Sequence, residues 1–270
     1  MSIVSLAAFT IVQNEDMFSR IWVDYYSKFI PKQNLYILNH NSTTSKSLQH
    51  LKDFRSEGVN VIDVHRELSF DHLWLRSTVE SFQAFLLKSY NVVLFAEADE
   101  IITVHPEARH NNLTDYISDR FKADGELCLR CTGYSIEHNP EAEPPLQLKY
   151  PLLAQRAYWR KAPTFNKPLI SNHPSKWHYG FHWLRNWVKQ PCDPHLILLH
   201  LHKIDYDMCV NKHKEQASRK WSEPDKKGNV GTHNLMSDGP AFKRWYFSGF
   251  TFQGEGSDLV KYPEFVKSVV

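Results

Sequence analysis

The sequence predicts an α/β fold in a single domain, residues 1–270, whose two halves meet near residue 104. In residues 1–104, short apolar runs alternate with amphipathic stripes in the order βαβαβαβ, with short connections. That order implies a mostly parallel sheet of the Rossmann type with right-handed crossovers. In residues 105–270 the alternation stops, which predicts a mixed second half. No repeat, low-complexity tract or linker divides the chain.

Each element of the first half has a local signal. Ile3–Val12 and Val92–Ala96 are apolar runs between polar residues, as is typical of strands buried on both faces. Asn14 or Asp16 is the expected N-cap of the first helix, and Pro31 follows its end. Apolar residues at steps of three and four mark that helix, namely Phe18, Ile21, Trp22, Tyr25 and Phe29. Further strands are predicted at Leu35–Leu38 and Val59–Val64. A second helix is predicted from the apolar residues Leu48, Leu51 and Phe54 and should end at Gly58. A third helix is predicted from Leu75, Val79, Phe82 and Leu86.

The second half shows weaker patterns. Strands are predicted at Ile101–Val104, Glu126–Tyr134, Leu152–Trp159, Phe165–Ser171 and His195–His202, and helices at Leu113–Phe121 and Tyr206–Arg219. Asp205 is the expected N-cap of the later helix. Glu137–Pro145 and Ser222–Gly239 are rich in proline, glycine or polar residues and are predicted to be surface loops. The aromatic segment Phe242–Phe252 is expected to pack back onto the domain.

Composition and charge exclude several classes of protein. The formal net charge is +2 with acids and bases interspersed, so a nucleic-acid-binding surface is not expected. The apolar run Ile3–Val12 has no basic segment before it and is about half the length of a membrane span. We therefore expect a cytoplasmic protein, either free or peripheral to a membrane. Neither G-x-G-x-x-G after the first strand nor G-x-x-x-x-G-K-S/T occurs, which disfavours dinucleotide oxidoreductases and P-loop enzymes.

The four cysteines are expected to be reduced thiols. Cys128 and Cys131 spell C-x-x-C, but residues three apart in a strand point to opposite faces and cannot readily share a metal ion. Cys192 and Cys209 have no metal-ligand spacing, and a chain of this length does not need a disulfide framework.

An acidic triplet follows the run Val92–Ala96, since Glu97, Asp99 and Glu100 place three carboxylates within four residues. Carboxylates are costly to bury unless they are paired or bind a metal, so they should lie where the strand emerges. In an extended strand Glu97 and Asp99 would share one face. Two oxygen ligands on one face suit a hard divalent cation, Mn²⁺ or Mg²⁺. A solvated acidic turn is the alternative interpretation of the triplet by itself.

Polar clusters follow three of the four predicted strands of the first half: Asn14-Glu15, Asn39-His40-Asn41 and Glu97-Ala98-Asp99. In parallel α/β sheets ligands bind outside the carboxyl ends of the strands. The clusters are therefore expected to converge on one edge of the sheet.

This series of motifs resembles glycosyltransferases of the A fold, and more narrowly the family-2-like enzymes related to the DUF23 and family-92 group. The motifs that carry the resemblance, in chain order, are Asn14-Glu15, Trp22–Tyr26, Asn39–Thr43, Glu97–Ile101, Phe165–Pro168, Trp177–His182 and His200–Asp205. It extends from residue 3 to about residue 215. Two residues depart from the family pattern, because Glu97 replaces the first Asp of the metal motif and Asn39 stands where relatives often have Asp.

The resemblance implies a nucleotide-binding first half and an acceptor-binding second half. It implies transfer of a sugar from a donor linked to UDP, GDP or dTDP to a hydroxyl of a glycan or glycolipid. Asp99 would bind Mn²⁺ or Mg²⁺, with Glu97 as a second ligand or ribose contact and His200 completing the shell. His202, on the same strand face, is the substitute, and an imidazole ligand favours Mn²⁺. Contacts to the bound donor are expected from Asn14, Glu15, Asn39, Asn41, Arg76, Glu97 and Lys167.

An inverting transfer also needs a carboxylate base. Asp99 and Glu100 are the predicted catalytic residues. Glu100 is one candidate for the base, and Glu137, Asp193 and Asp205 are the others. Asp205 is better explained as a helix cap and Glu137 as loop surface, so the base stays open.

Two other classes of protein fit an acidic strand end. One is a metal-dependent phosphohydrolase or nucleotidyltransferase, although the sequence has no further acidic cluster and no basic phosphate loop. The other is a non-catalytic carbohydrate-binding domain of the same fold, which Glu97 in the metal motif would allow.

Overall fold

A computed structural model describes residues 4–65, 69–110, 112–122, 125–185, 191–248 and 259–270. The first half contains β1 (Leu6–Val12), α1 (Phe18–Tyr26), β2 (Leu35–Asn39), α2 (Ser45–Ser56), β3 (Asn60–Asp63), α3 (His72–Leu86), β4 (Val92–Phe95) and β5 (Glu100–Val104). The second half contains α4 (Leu113–Arg120), β6 (Cys128–Arg130), β7 (Thr132–Glu137), β8 (Tyr158–Lys161), β9 (Pro168–Ser171), β10 (Leu196–His200), α5 (Tyr206–Ser218), α6 (Glu223–Gly228), α7 (Gly239–Tyr246) and β11 (Leu259–Lys261).

The described strands form two sheets. The first has the order β3-β2-β1-β4-β9-β6, with parallel pairing from β3 to β4 and antiparallel pairing of β9 with both of its neighbours. The second has the order β11-β8-β7-β10-β5, in which only β7 and β10 are parallel. The predicted α/β fold class, with a mostly parallel sheet and a mixed part, is confirmed.

The chain crosses from the first sheet to the second between β4 and β5, and the acidic triplet lies at this crossing. β4 is buried at every position, as its uninterrupted apolar run predicts. The aromatic stripe of α1 fixes the start of β5, because the Tyr26 hydroxyl accepts from the Ile102 N–H (3.0 Å) and donates to the Glu100 carbonyl (3.3 Å). The Tyr25 hydroxyl donates to the Ile102 carbonyl at 2.9 Å. The buried aromatic residues of α1 thus hold the backbone next to the triplet.

The predicted cap of α1 is wrong. Met17 occupies the N-cap position and makes no side-chain cap bond. The Asn14 amide oxygen instead accepts from the Thr43 N–H at 2.7 Å, and Asp16 accepts from the hydroxyls of Thr44 and Ser47 at 2.5 Å. Both side chains bind the β2–α2 connection, which competes with capping for the same oxygens.

Several predicted strands of the second half are shorter or divided. The predicted strand Glu126–Tyr134 breaks at Cys131 into β6 and β7, which belong to different sheets. The predicted strands Leu152–Trp159 and Phe165–Ser171 begin with 3₁₀ turns or coil, and only their ends pair, in β8 and β9. A short apolar run does not by itself distinguish a strand from a buried turn. All four cysteines are free, as predicted.

Two predicted loops contain regular structure. Ser222 caps α6 by accepting from the Asp225 N–H at 3.3 Å, and Asn229 ends that helix in a left-handed conformation. Polar residues that suggest a loop therefore act here as helix caps. Glu137 is not loop surface but the fully buried last residue of β7, where Arg160 binds it at 3.2 Å.

The C-terminal segments also bear on the predictions. Asp205 caps α5 as predicted, accepting from the Met208 N–H at 3.1 Å. Phe242 and Tyr246 of the aromatic segment are buried, whereas residues 249–252, like Ile3, lie outside the described residues. Among the described residues, no helix is both long and apolar enough to cross a membrane.

We predict that Gly133→Ala lowers the free energy of unfolding by about 1–3 kcal/mol, because a Cβ at Gly133 in β7 would lie 2.4 Å from the backbone of Phe165. The matched control is Gly228→Ala at the end of α6, where the nearest contact would be Val230 Cγ2 at 3.4 Å. Chemical denaturation of both variants measures the difference. Equal destabilisation by the two substitutions would contradict the close approach at Gly133.

Candidate functional site

A cleft of about 780 Å³ opens where strand ends of the two sheets meet. Its lining includes Gln13 and Glu15 after β1, Glu97, Ala98 and Asp99 after β4, His200 and His202 at the end of β10, Arg76 on α3 and Lys212 on α5. The predicted convergence of strand ends therefore brings together Glu15, Glu97 and Asp99, with His40 from the end of β2.

Asp99 is the centre of the deepest polar cluster and is only 7% exposed. Its Oδ2 accepts from Lys212 Nζ at 2.9 Å and lies 3.2 Å from His202 Nδ1. Its Oδ1 faces His200 Nε2 at 3.9 Å. One ligand atom from each of Asp99, His200 and His202 lies within 4.8 Å of the other two. A carboxylate and two imidazoles at these separations can bind one metal ion.

The charges around Asp99 keep it ionised. Burial alone would raise the pKa of the Asp99 carboxyl, but the nearby Lys212 ammonium opposes burial most strongly, and the pKa lies well below its usual value. Burial lowers the pKa of His200 well below its usual value, and the attraction of Asp99 does not offset it. His200 is therefore neutral at pH 7 and has a lone pair to offer, as a metal ligand requires.

The two outer acids of the triplet bind a different cation. Lys167 is buried, and its Nζ lies 2.6 Å from Glu97 Oε2 and 2.5 Å from Glu100 Oε1. The predicted strand alternation does not hold here, because Ala98 and Asp99 form a turn between β4 and β5. Glu97 remains on the cleft wall, whereas Glu100 is fully buried behind it, where burial raises the pKa of Glu100 to about 7.

The described lining of the cleft contains more basic than acidic side chains. Six basic residues line it, Arg76, Arg160, Lys167, Lys203, Lys212 and Arg219, against three acidic residues, Glu15, Glu97 and Asp99. Arg76 lies 4.9 Å from the Tyr179 ring, and Lys203 donates to the carbonyls of Trp245 and Tyr246 at 3.2 and 2.7 Å. Each of these basic side chains also lies within 4.0 Å of a carboxylate, so an anionic ligand such as a phosphate would share them with these pairs.

Aromatic rings complete the lining. Phe165 stacks on the His200 ring at 4.0 Å between centroids, and Phe70 lies 5.2 Å from Trp221. Phe70, Phe165 and Trp245 all face the cleft. Such faces bind bases and sugar rings by stacking.

Three residues that are predicted to contact the nucleotide-sugar donor lie next to the cleft but outside its described lining, at or just after the ends of β1 and β2. Asn14 donates to Glu215 on α5 at 2.9 Å, in addition to binding the β2–α2 connection. Asn39 donates to Asp63 at 2.7 Å, and Asn41 Oδ1 lies 2.9 Å from His65 Nδ1. Their amides join neighbouring strand ends, and their contact with a donor stays a prediction.

Sequence reasoning missed the contribution of α5. Its inward stripe at helical spacing consists of Cys209, Lys212, His213 and Gln216, of which Lys212 and Gln216 line the cleft. Lys212 Nζ also lies 3.1 Å from Glu15 and therefore joins the ends of β1 and β4. A polar stripe on the buried face of an amphipathic helix is the signal that could have revealed these residues.

No protein-family model matches the chain, and no curated protein matches it. Among solved structures, S. aureus TarS (residues 1–349) is similar at 13% identity over 92% of this chain and 75% of that chain, with a TM-score of 0.40. Glucosyl-3-phosphoglycerate synthase from Mycobacterium tuberculosis, in complex with Mn²⁺, UDP-glucose and phosphoglyceric acid, aligns at 16% identity over 36% of this chain and 34% of that chain, with a TM-score of 0.27. Mannose-1-phosphate geranyltransferase from Thermus thermophilus aligns at 11% identity over 58% of this chain and 49% of that chain, with a TM-score of 0.31. Likenesses at this level carry no argument for an activity, so the function is argued from the site.

We predict that Lys167→Met lowers the free energy of unfolding by about 3–5 kcal/mol, because it leaves Glu100 buried without its cation. Lys176→Met is the matched control, since the Lys176 side chain is 52% exposed and lies 3.6 Å from Glu80. Such a surface pair contributes about 0–1 kcal/mol. Adding Glu100→Gln to Lys167→Met should recover part of the loss in urea denaturation. Additive losses in the double variant would contradict the pairing.

Proposed function

We propose that this protein is a glycosyltransferase that moves a sugar from a nucleotide-sugar donor to a hydroxyl of a glycan or glycolipid, with Mn²⁺ or Mg²⁺ bound. The observation that carries the proposal is the grouping of ligand atoms from Asp99, His200 and His202 within 4.8 Å of one another in a cleft lined by six basic side chains. The donor is a sugar linked to UDP, GDP or dTDP. The cytoplasm, with or without peripheral membrane contact, is the proposed location.

The donor set fits a divalent cation. Asp99 offers the ion Oδ1, which faces His200, and the second lone pair of Oδ2, which accepts from Lys212 and lies beside His202. One carboxylate and two imidazoles suit Mn²⁺ better than Mg²⁺. A bound ion would supply the positive charge that stabilises the leaving diphosphate. Glu97, which is paired with Lys167, is proposed as an outer ligand through water or as a ribose contact.

The chain's own cations would bind the diphosphate and its developing charge. The buried Arg76 Nε has no hydrogen-bond partner among the described residues and only a longer contact of 3.9 Å with Glu80, so it could donate to a phosphate oxygen. Lys167 is held in position by two carboxylates, and a phosphate would share it with Glu97 at the cleft wall. Burial of these groups strengthens their interaction with phosphate oxygens relative to water. Glu100 does not line the cleft, and we assign it the positioning of Lys167 rather than contact with the substrate.

The rest of the cleft would bind the two ends of the donor. Glu15 and the loops that contain Asn14, Asn39 and Asn41 lie at the ends of β1 and β2, the edge at which parallel sheets bind nucleotides. Phe165, stacked on His200, would place an apolar face near the transferred sugar. Arg160 and Lys203 lie on the side of the second sheet, where the acceptor would enter.

We predict that UDP, GDP or dTDP raises the melting temperature only when Mn²⁺ or Mg²⁺ is present. A ligand at about one hundred times its dissociation constant adds about 2.7 kcal/mol of stability. Thermal-shift assays with each nucleotide, with metal and with EDTA, measure the effect. A melting temperature that no nucleotide changes, or that EDTA leaves equally raised, would rule out metal-dependent nucleotide binding.

We predict that Asp99→Asn lowers donor turnover by at least about 100-fold with little change in stability, because the metal loses its charged ligand while Lys212 keeps Glu15 as a partner. Asp24→Asn on the exposed face of α1 is the control and should retain full turnover. Release of nucleoside diphosphate from a panel of UDP-, GDP- and dTDP-sugars is the measurement. Donor binding without turnover in the wild-type protein would favour a non-catalytic carbohydrate-binding domain.

A further inference from the structure

A chain of three polar contacts runs from the backbone to Asp99 through two histidines. His213 Nδ1 lies 2.9 Å from the Met236 carbonyl oxygen. His213 Nε2 lies 2.9 Å from His202 Nε2, and His202 Nδ1 lies 3.2 Å from Asp99 Oδ2. His213 is fully buried on α5, with Trp245 and Phe242 packed around its ring at 4.6 and 5.0 Å.

The hydrogen positions in this chain follow from its first link. A carbonyl oxygen only accepts, so His213 Nδ1 must carry the hydrogen that it donates to Met236. A neutral imidazole has one N–H, which leaves His213 Nε2 as an acceptor. The opposing Nε2 of His202, at hydrogen-bond distance, must then be the donor. In a neutral His202, Nδ1 therefore has no hydrogen and presents a lone pair.

That lone pair faces a carboxylate oxygen. Two lone pairs at 3.2 Å repel each other unless a proton or a metal ion lies between them, so a neutral His202 with hydrogen on Nε2 suits this geometry when both atoms share a metal ion. We propose that His213 is a positioning residue: it fixes His202 in the tautomer with hydrogen on Nε2, so that Nδ1 and Asp99 present lone pairs to the same divalent ion. The metal in this inference rests on the proposed function, whereas the tautomer does not.

A second group of possible metal ligands in the same region is less favourable. His202, His213 and Cys209 also offer atoms within 4.8 Å of one another. Two nitrogens bound to one tetrahedral metal at about 2.0–2.1 Å would be about 3.4 Å apart, whereas the two Nε2 atoms are 2.9 Å apart. The short distance is that of a hydrogen bond, and it assigns Nδ1 rather than Nε2 of His202 to the metal.

Two amide variants of His213 test the assignment as a matched pair. In His213→Gln, the longer side chain places its amide oxygen near the former Nε2, where it can accept from His202. In His213→Asn, the shorter side chain reaches the Met236 carbonyl but not His202. A role confined to packing predicts that neither variant changes the tautomer of His202 or the affinity for metal.

The first measurement is the tautomer of His202 in the metal-free protein. Long-range ¹H–¹⁵N correlation spectra of ¹⁵N-histidine-labelled protein report it, with the His202 signals assigned by their loss in His202→Gln. We expect hydrogen on Nε2 and none on Nδ1 in the wild-type protein and in His213→Gln. In His213→Asn we expect a shift towards hydrogen on Nδ1, donated to Asp99. Hydrogen on Nδ1 of the wild-type His202, alone or together with Nε2, would overturn the proposal.

The second measurement is the affinity for Mn²⁺, followed by titration of its electron paramagnetic resonance signal. Loss of an outer hydrogen bond to a metal-binding histidine lowers affinity by about 10–100-fold, so we expect that loss in His213→Asn and near wild-type affinity in His213→Gln. Equal affinity in the wild-type protein and in His213→Asn would overturn the positioning role. A wild-type protein that has hydrogen on Nε2 but binds no Mn²⁺ would support the tautomer assignment and contradict the metal-dependent function.

Discussion

The need to compensate buried charge at the crossing between the two sheets governs the rest of this structure. Three carboxylates, Glu97, Asp99 and Glu100, lie where the backbone leaves β4 and enters β5, and two of them are buried. A buried carboxylate without a partner costs several kcal/mol. Lys167 compensates the outer pair and Lys212 compensates Asp99. Since these lysines come from distant parts of the chain, the fold has to bring together the loop before β9, helix α5 and the crossing.

Strand register places the histidines at the same point. β10 pairs with β5 so that His200 lies opposite Glu100, the first residue after the turn that contains Asp99. A slip of one residue would move the side chains to the other face of the sheet and put a leucine in the place of His200. The hydroxyl of Tyr26 binds the backbone of β5 on both sides of this pair and so helps to hold the register. The grouping of Asp99 with the two histidines is therefore a consequence of sheet pairing as much as of local sequence.

The cleft combines two kinds of electrostatic environment. One part is a carboxylate and two imidazoles that can offer lone pairs to a cation, and the other is a set of basic side chains, each paired with a carboxylate, that can also contact an anion. A metal ion together with a diphosphate satisfies both. Helix α5 connects the two environments, because Lys212 contacts Asp99 and Glu15, and His213 contacts His202.

The sequence by itself determined the first half of the fold and the position of the acidic triplet, because apolar runs, helical stripes and strand-end polar residues are local signals. Prediction from the sequence was less accurate after Glu100. Ser222 and Asn229 suggest a loop, but they cap a helix. Glu137 suggests loop surface, but it is buried in β7. Only the tertiary structure decided which groups meet. Residue spacing did not show that Glu97 and Asp99 bind different lysines, or that Lys212 and His213 lie behind the site. Those pairings join residues up to about a hundred positions apart, and they depend on sheet pairing and on the cost of leaving a buried charge without a partner.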